Sequence, residues 1–101
     1  MDIESLLKLI GTPRDSPMLR LTLARLLADR SDLEQAETHL QMAIEMDSEY
    51  TAAWKELGKV RRLNNDAPGA AHAWRQGIEV ARARGDKQAE KEMTVFLRRI
   101  T

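Results

Sequence analysis

Trp54-Lys55-Glu56-Leu57-Gly58, a turn at Asn64-Asn65-Asp66, then Ala70-Ala71-His72-Ala73-Trp74 and Gly77-Ile78 form the stretch whose reading decides the fold. Moved back by 34 positions, Leu57 lands on Leu23, Asp66 on Asp32, Ala70 on Ala36, Trp74 on Leu40 and Ile78 on Ile44. Small residues keep the same phase, Gly58 falling on Ala24 and Gly77 on Ala43. Large and small residues recurring together at this period indicate stacked units of two antiparallel helices, with the small positions expected where backbones approach closely. The fold class read from the chain is therefore all-α.

Trp54, Leu57-Gly58, Ala70 and Trp74 also match the pattern of a known family. Over roughly residues 17 to 84 the chain resembles the tetratricopeptide repeat (TPR) family. It departs from the family pattern at Arg61 in the Tyr place, Arg82 in the Pro place, Arg20 in the first-repeat Trp place and Ser48 in the first-repeat Pro place. The run Lys91 to Arg99 resembles the ending of small free-standing bacterial TPR proteins. The resemblance implies a single TPR-like domain over 1–101. Its expected parts are an N-terminal cap helix in 1–16, repeats in 17–50 and 51–84, and a C-terminal cap helix in 85–101.

Periodicity fills in the helices. Ile3, Leu6, Leu7 and Ile10 make one stripe of a helix over 3–10, with Asp2 as N-cap and Gly11 and Pro13 as stop signals. Leu6 and Ile10 keep the phase of Leu40 and Ile44, as in the second helix of an otherwise missing repeat. That helix reads as a cover for one end of the stack, or as a detachable segment competing with ligand. Ser16-Pro17 starts a helix through Asp29 that buries Leu19, Leu23, Leu26 and Leu27. Asp32 and Gln35 have capping-box spacing before a helix burying Leu33, Ala36, Leu40, Ala43 and Ile44. Ser48 is expected to cap the next helix, and Asp66 the one after it, with Pro68 in its first turn. Gly85-Asp86 opens a final helix inward at Ala89, Met93, Phe96, Leu97 and Ile100, with Arg98 and Arg99 suited to its C-terminal dipole.

A chain of 101 residues buries somewhat more than about 60% of its unfolded surface, enough for a core. Lys+Arg 16 against Asp+Glu 16 gives no global field toward nucleic acid or an anionic membrane. The absence of cysteine excludes disulfide and thiolate chemistry and suits a reducing compartment. No basic leader or long apolar run is present, so a cytoplasmic location is expected.

Chemistry-bearing constellations are sparse. His39 and His72 do not share a repeat position and read as surface or turn-adjacent residues, with no metal-ligand spacing around them. Ser5, Ser16, Ser31 and Ser48 read as helix surface or caps, and Pro68-Gly69 lacks a phosphate-loop context. No catalytic, cofactor-binding or metal site is expected. Charge, in contrast, is segregated. Residues 31–50 hold six acidic side chains and no Lys or Arg, whereas 51–84 hold seven basic ones against Glu56, Asp66 and Glu79. Either adjacent helices answer one another's charges on a solvated surface, or the charge serves a partner.

The family resemblance implies a concave groove lined by the first helix of each repeat. Its positions carry over onto Met18, Leu21, Thr22, Arg25, Ala28 and Asp29, then Ala52, Lys55, Glu56, Lys59, Arg62 and Leu63. Lys55, Lys59 and Arg62 fall on one helix face, and Arg25 joins them from the neighbouring helix, a set suited to an acidic segment or a terminal carboxylate. The carboxylate clamp of some family members is not matched, since Leu21, Arg25 and Glu56 stand in its places. The expected ligand-groove residues are Arg25, Lys55, Glu56, Lys59 and Arg62. The expected function is non-enzymatic binding of a peptide or protein, and the alternative is a weakly self-associating assembly unit.

Overall fold

Five of the six helices in the computed structural model start on an aspartate or serine whose side chain accepts a hydrogen bond from a backbone N–H. The structure describes residues 2–101. The elements are α1 (Ile3–Leu7), α2 (Pro17–Asp29), α3 (Leu33–Met46), α4 (Thr51–Leu63), α5 (Ala67–Arg84) and α6 (Lys87–Ile100), and no strand occurs among the described residues. The caps are Asp2, Ser16, Asp32, Asp66 and Asp86, each satisfying a donor that the helix itself leaves unpaired. α4 is the exception: it begins after Tyr50 with no side-chain cap. Ser48, expected in that role, instead offers its carbonyl to the Trp54 indole N–H at 2.9 Å.

The turns repeat with the sequence. Ser31 and Asn65, 34 positions apart, both adopt left-handed backbone, at φ 63° and 61°. Each is followed by a bond back across the helix end, Asp32 N–H to the Leu27 carbonyl at 2.9 Å and Asp66 N–H to the Arg61 carbonyl at 2.8 Å. Gly85, at φ 73°, does the same for α5 through Asp86 and Ala81. These are helix-terminating turns that reverse the chain within a few residues. They fold α2 against α3 and α4 against α5 as antiparallel hairpins, and α6 against α5.

The helices then divide into two rows. α2 touches α4 and α4 touches α6, whereas α3 and α5 stay apart. The stack therefore curves, with α2, α4 and α6 on the inner wall. α1 packs on α2.

Interlocking residues hold α4 to α5. A side-chain carbon at Gly58 would overlap the Trp74 indole, and one at Gly77 would meet Met93 Sδ at 2.5 Å and Trp54 Cβ at 2.9 Å. The glycines thus make room for side chains, not for the close backbone approach that the sequence suggests. Trp74 is almost wholly buried and donates its indole N–H to the Lys55 carbonyl at 3.1 Å. In the first hairpin the 34-residue equivalents of Trp74 and Gly58 are Leu40 and Ala24, both fully buried in one core cluster. A smaller side chain is matched there by a less empty seat.

Four expectations need correction. α1 is shorter than 3–10, because after Leu7 the chain tightens into i→i+3 bonds, Leu9 N–H to Leu6 and Ile10 N–H to Leu7. Leu7, expected in the buried stripe, is 42% exposed, while Ile3 and Leu6 are buried. Leu21, carried over to the groove, is only 3% exposed and lies in the core cluster with Ile3 and Leu6. His39, read as a surface or turn-adjacent residue, is half-buried.

His39 belongs to a polar cluster around Arg20, the residue in the place of Trp54. Arg20 is 8% exposed and grips Asp15 with two bonds, Nε to Oδ1 at 3.0 Å and Nη2 to Oδ2 at 2.8 Å. Its Nη1 lies 3.1 Å from His39 Nδ1. A guanidinium only donates, so Nδ1 accepts and the proton of neutral His39 sits on Nε2. Asp15 also takes the Gly11 N–H at 3.0 Å, which pins the left-handed turn at Gly11 to α2. Hydrogen bonding from Arg20, with the Gly11 N–H, holds the Asp15 carboxyl down at about 2. Burial, then the Arg20 charge, pushes His39 below its ordinary value.

Two predictions follow from these contacts. Gly58→Ala gains about 1 kcal/mol of helix propensity but overpacks Trp74 at a cost of about 1–3 kcal/mol, for a net loss of up to about 2 kcal/mol. Adding Trp74→Leu recreates the Ala24 and Leu40 pairing, so urea unfolding of the two single variants and the double variant should show losses well short of additive. The second concerns pH. Unfolded His39 binds a proton below about 6.5 that the folded site resists. Stability should fall as pH drops through that value and the folded His39 value below it. It should fall again between about 4 and 2 as Asp15 is protonated. Urea midpoints across pH should show both declines in the wild type, and only the lower one in His39→Gln.

Candidate partner-binding wall

The inner wall is built from solvent-facing positions of α2, α4 and α6. On α2, Met18, Thr22, Arg25 and Asp29 are exposed and Ala28 is half-buried. On α4, Ala52, Lys55, Glu56 and Lys59 are half-buried, and Arg62 and Leu63 are exposed. Met18 at 67% and Leu63 at 56% are the most exposed large apolar side chains among the described residues.

Lys55, Lys59, Arg62 and Arg25 do stand along this wall, but they do not act as one cationic surface. Arg25 Nε is 3.3 Å from Glu56 Oε1 and ties α2 to α4. Lys55 Nζ is 3.3 Å from Glu92 Oε1 and ties α4 to α6. Lys59 Nζ lies 5.4 Å from the Phe96 ring centroid, over the face of the ring, a placement stabilised by the ring quadrupole. Arg62 forms no ion pair among the described residues. Two of the four cations are therefore already answered by carboxylates, and positive charge collects toward the C-terminal end of α4.

There the wall opens into a cavity of about 300 Å³ lined by Lys59, Arg62 and Leu63 of α4, Trp74 of α5, and Phe96, Arg99 and Ile100 of α6. The Trp74 and Phe96 rings sit 5.4 Å apart and tilted by 46°. Arg99 likewise forms no ion pair among the described residues. Phe96 and Ile100 pack against the core as expected, but sequence reasoning missed that they also line this cavity together with Arg99, which it assigned to the helix dipole. The available signal was the spacing of Phe96, Arg99 and Ile100 at i, i+3 and i+4, which puts a cation between two apolar residues on one face.

On the outer side, Arg61 in the Tyr place joins three helices: its Nε is 3.3 Å from Glu37 Oε2 on α3, and its Nη1 donates to the Gly69 carbonyl on α5 at 3.2 Å. The acidic and basic segments of the sequence thus meet within the chain. Arg82 similarly pairs with Glu79 and Glu90. No group of three or more metal-ligating residues occurs among the described residues, and no described helix is long and apolar enough to cross a membrane.

No family model matches the chain. Among curated proteins, a TPR repeat-containing protein of Pseudomonas aeruginosa is 48% identical over 100 residues, covering 99% of this chain and 95% of the relative. The solution structure of a protein from Bordetella parapertussis superposes with a TM-score of 0.85 at 38% identity, over 99% of this chain and 87% of the other. A tetratricopeptide repeat domain protein from Salinibacter ruber, also a solution structure, gives 0.80 at 26% identity, over 89% of this chain and 90% of its own. The helix pairs at a 34-residue period, the curved wall and a near full-length relative at 48% identity agree, and the chain belongs to the tetratricopeptide repeat family.

Proposed function

We propose that this protein is a non-enzymatic docking module of the cytoplasm that holds a segment of another protein against the wall formed by α2, α4 and α6. In this reading residues 17–50 and 51–84 are the two repeats, and 1–16 and 85–101 close the ends of the stack. The supporting observation is that the wall carries side chains with no evident role in folding. Met18 and Leu63 spend apolar surface in water, and Arg62 holds a charge that no carboxylate answers. An unpaired arginine and exposed apolar groups on one wall make a composition that interfaces favour.

The positive end of the wall selects an acidic partner segment, while Arg25–Glu56 and Lys55–Glu92 act as struts between neighbouring helices. Self-association of acidic against basic segments is the weaker reading, because Arg61 and Glu37 already bring those segments together within one chain.

Site-specific photo-crosslinking tests the assignment. A benzophenone side chain at Thr22 or Asp29 on the inner wall should capture a discrete partner in the native host, and one at Glu45 or Gln76, both exposed on the outer row, should not. Lys59→Glu with Arg62→Glu should weaken the captured interaction by about tenfold or more and reduce its salt dependence. Equal capture from both faces would refute the groove.

A further inference from the structure

We infer that the cavity between the C-terminal halves of α4 and α6 is an anchoring pocket for one apolar side chain flanked by side-chain carboxylates on a partner peptide. The inference rests on the proposed docking function and assigns its point of anchorage and the chemistry of its ligand. Three features carry it. The cavity, about 300 Å³, is at the small end of the range for ligand pockets, sized for a side chain. Its apolar surface comes from Leu63, Phe96, Ile100 and the wall of Trp74, and its polar lining is cationic, from Lys59, Arg62 and Arg99, with no carboxylate among the lining residues.

Charge complementarity then specifies the occupant. Farther along the same wall each cation faces a carboxylate of the chain itself, Arg25 with Glu56 and Lys55 with Glu92. At the cavity that pattern stops, and two arginines are left without an anionic partner. Guanidinium groups favour carboxylates through paired, charge-assisted hydrogen bonds. Arg62 belongs to α4 and Arg99 to α6, so the two charges come from different walls of an apolar cleft. That arrangement fits two carboxylates on either side of an inserted apolar side chain, whereas a chain terminus supplies only one. Lys59, held over Phe96, adds positive potential without closing the cleft.

The test uses the full chain and a defined probe, an acetylated and amidated peptide with one leucine between paired aspartates in a glycine–serine frame. Binding is followed by peptide anisotropy and by NMR shifts of the Trp74 indole and the α4 and α6 amides. The expected result is a shift at Trp74 and around Arg62 and Arg99. Replacing the leucine by serine, or the aspartates by asparagine, should each weaken binding by about tenfold or more. Arg62→Gln with Arg99→Gln should do the same without lowering the melting temperature, and Arg25→Gln should change affinity by less than about twofold.

Four results would overturn the pocket: no binding, equal binding of the serine peptide, equal binding of a peptide bearing only a free C-terminal leucine, or equal competition by oligouridine. Overturning the pocket while inner-wall crosslinks persist removes the anchor and leaves the docking wall standing. Peptide binding at Trp74 with no inner-wall crosslinks would instead count against the docking wall.

Discussion

The indole of Trp74 seated in the slot left by Gly58 is the contact on which the second half of this molecule depends. It brings α5 onto α4 closely enough for the indole N–H to reach the Lys55 carbonyl, at the residue whose side chain braces α6 through Glu92. The reciprocal seat, Trp54 against Gly77, also receives Met93 from α6. Two glycines, the Trp74 indole, Trp54 Cβ and Met93 thus set the spacing of three helices. Truncating a buried tryptophan to alanine costs about 3–5 kcal/mol, comparable to a large share of the total stability of a domain this size. The cavity at the end of α4 exists because the same arrangement leaves the edge of Trp74 beside Phe96.

The two hairpins solve one packing problem in different ways. Where the second uses a large ring and glycine, the first uses Leu40 and Ala24. Where the second places the Trp54 indole, the first places a guanidinium that must be paired because it is buried. Asp15 and His39 supply that pairing, and through Asp15 the loop following α1 is fixed to α2. Charge here organises the fold at one end and, among the described residues, remains unanswered at the other.

Much of this was legible in the residues. Leu23 with Leu57, Ala36 with Ala70 and Asp32 with Asp66 announce the period, because each hairpin must bury equivalent faces and end at equivalent turns. Periodicity also fixes the boundaries of α2 and α3. It failed where the outcome depended on contacts between elements. Leu21 is buried because α1 lies over it, Leu7 faces away from the contact that α1 makes with α2, and His39 bonds an arginine that replaces an aromatic. The reason for Gly58 and Gly77 was half visible: the need for space could be read, but not that side chains would fill it. At the site, Arg25, Lys55, Glu56, Lys59 and Arg62 were placed on the wall by family position. Which of them are already paired was not, since Glu92 and Phe96 come from a helix outside the repeat pattern.

The most direct test of the central contact is an isotope-edited NOE experiment on the folded chain, centred on the Trp74 indole proton. NOEs are expected from that proton to the α-protons of Gly58 or its α4 neighbours, together with slow exchange with solvent because the proton is bonded to the Lys55 carbonyl. An indole proton that exchanges as fast as free tryptophan and shows no NOE to α4 would contradict this contact.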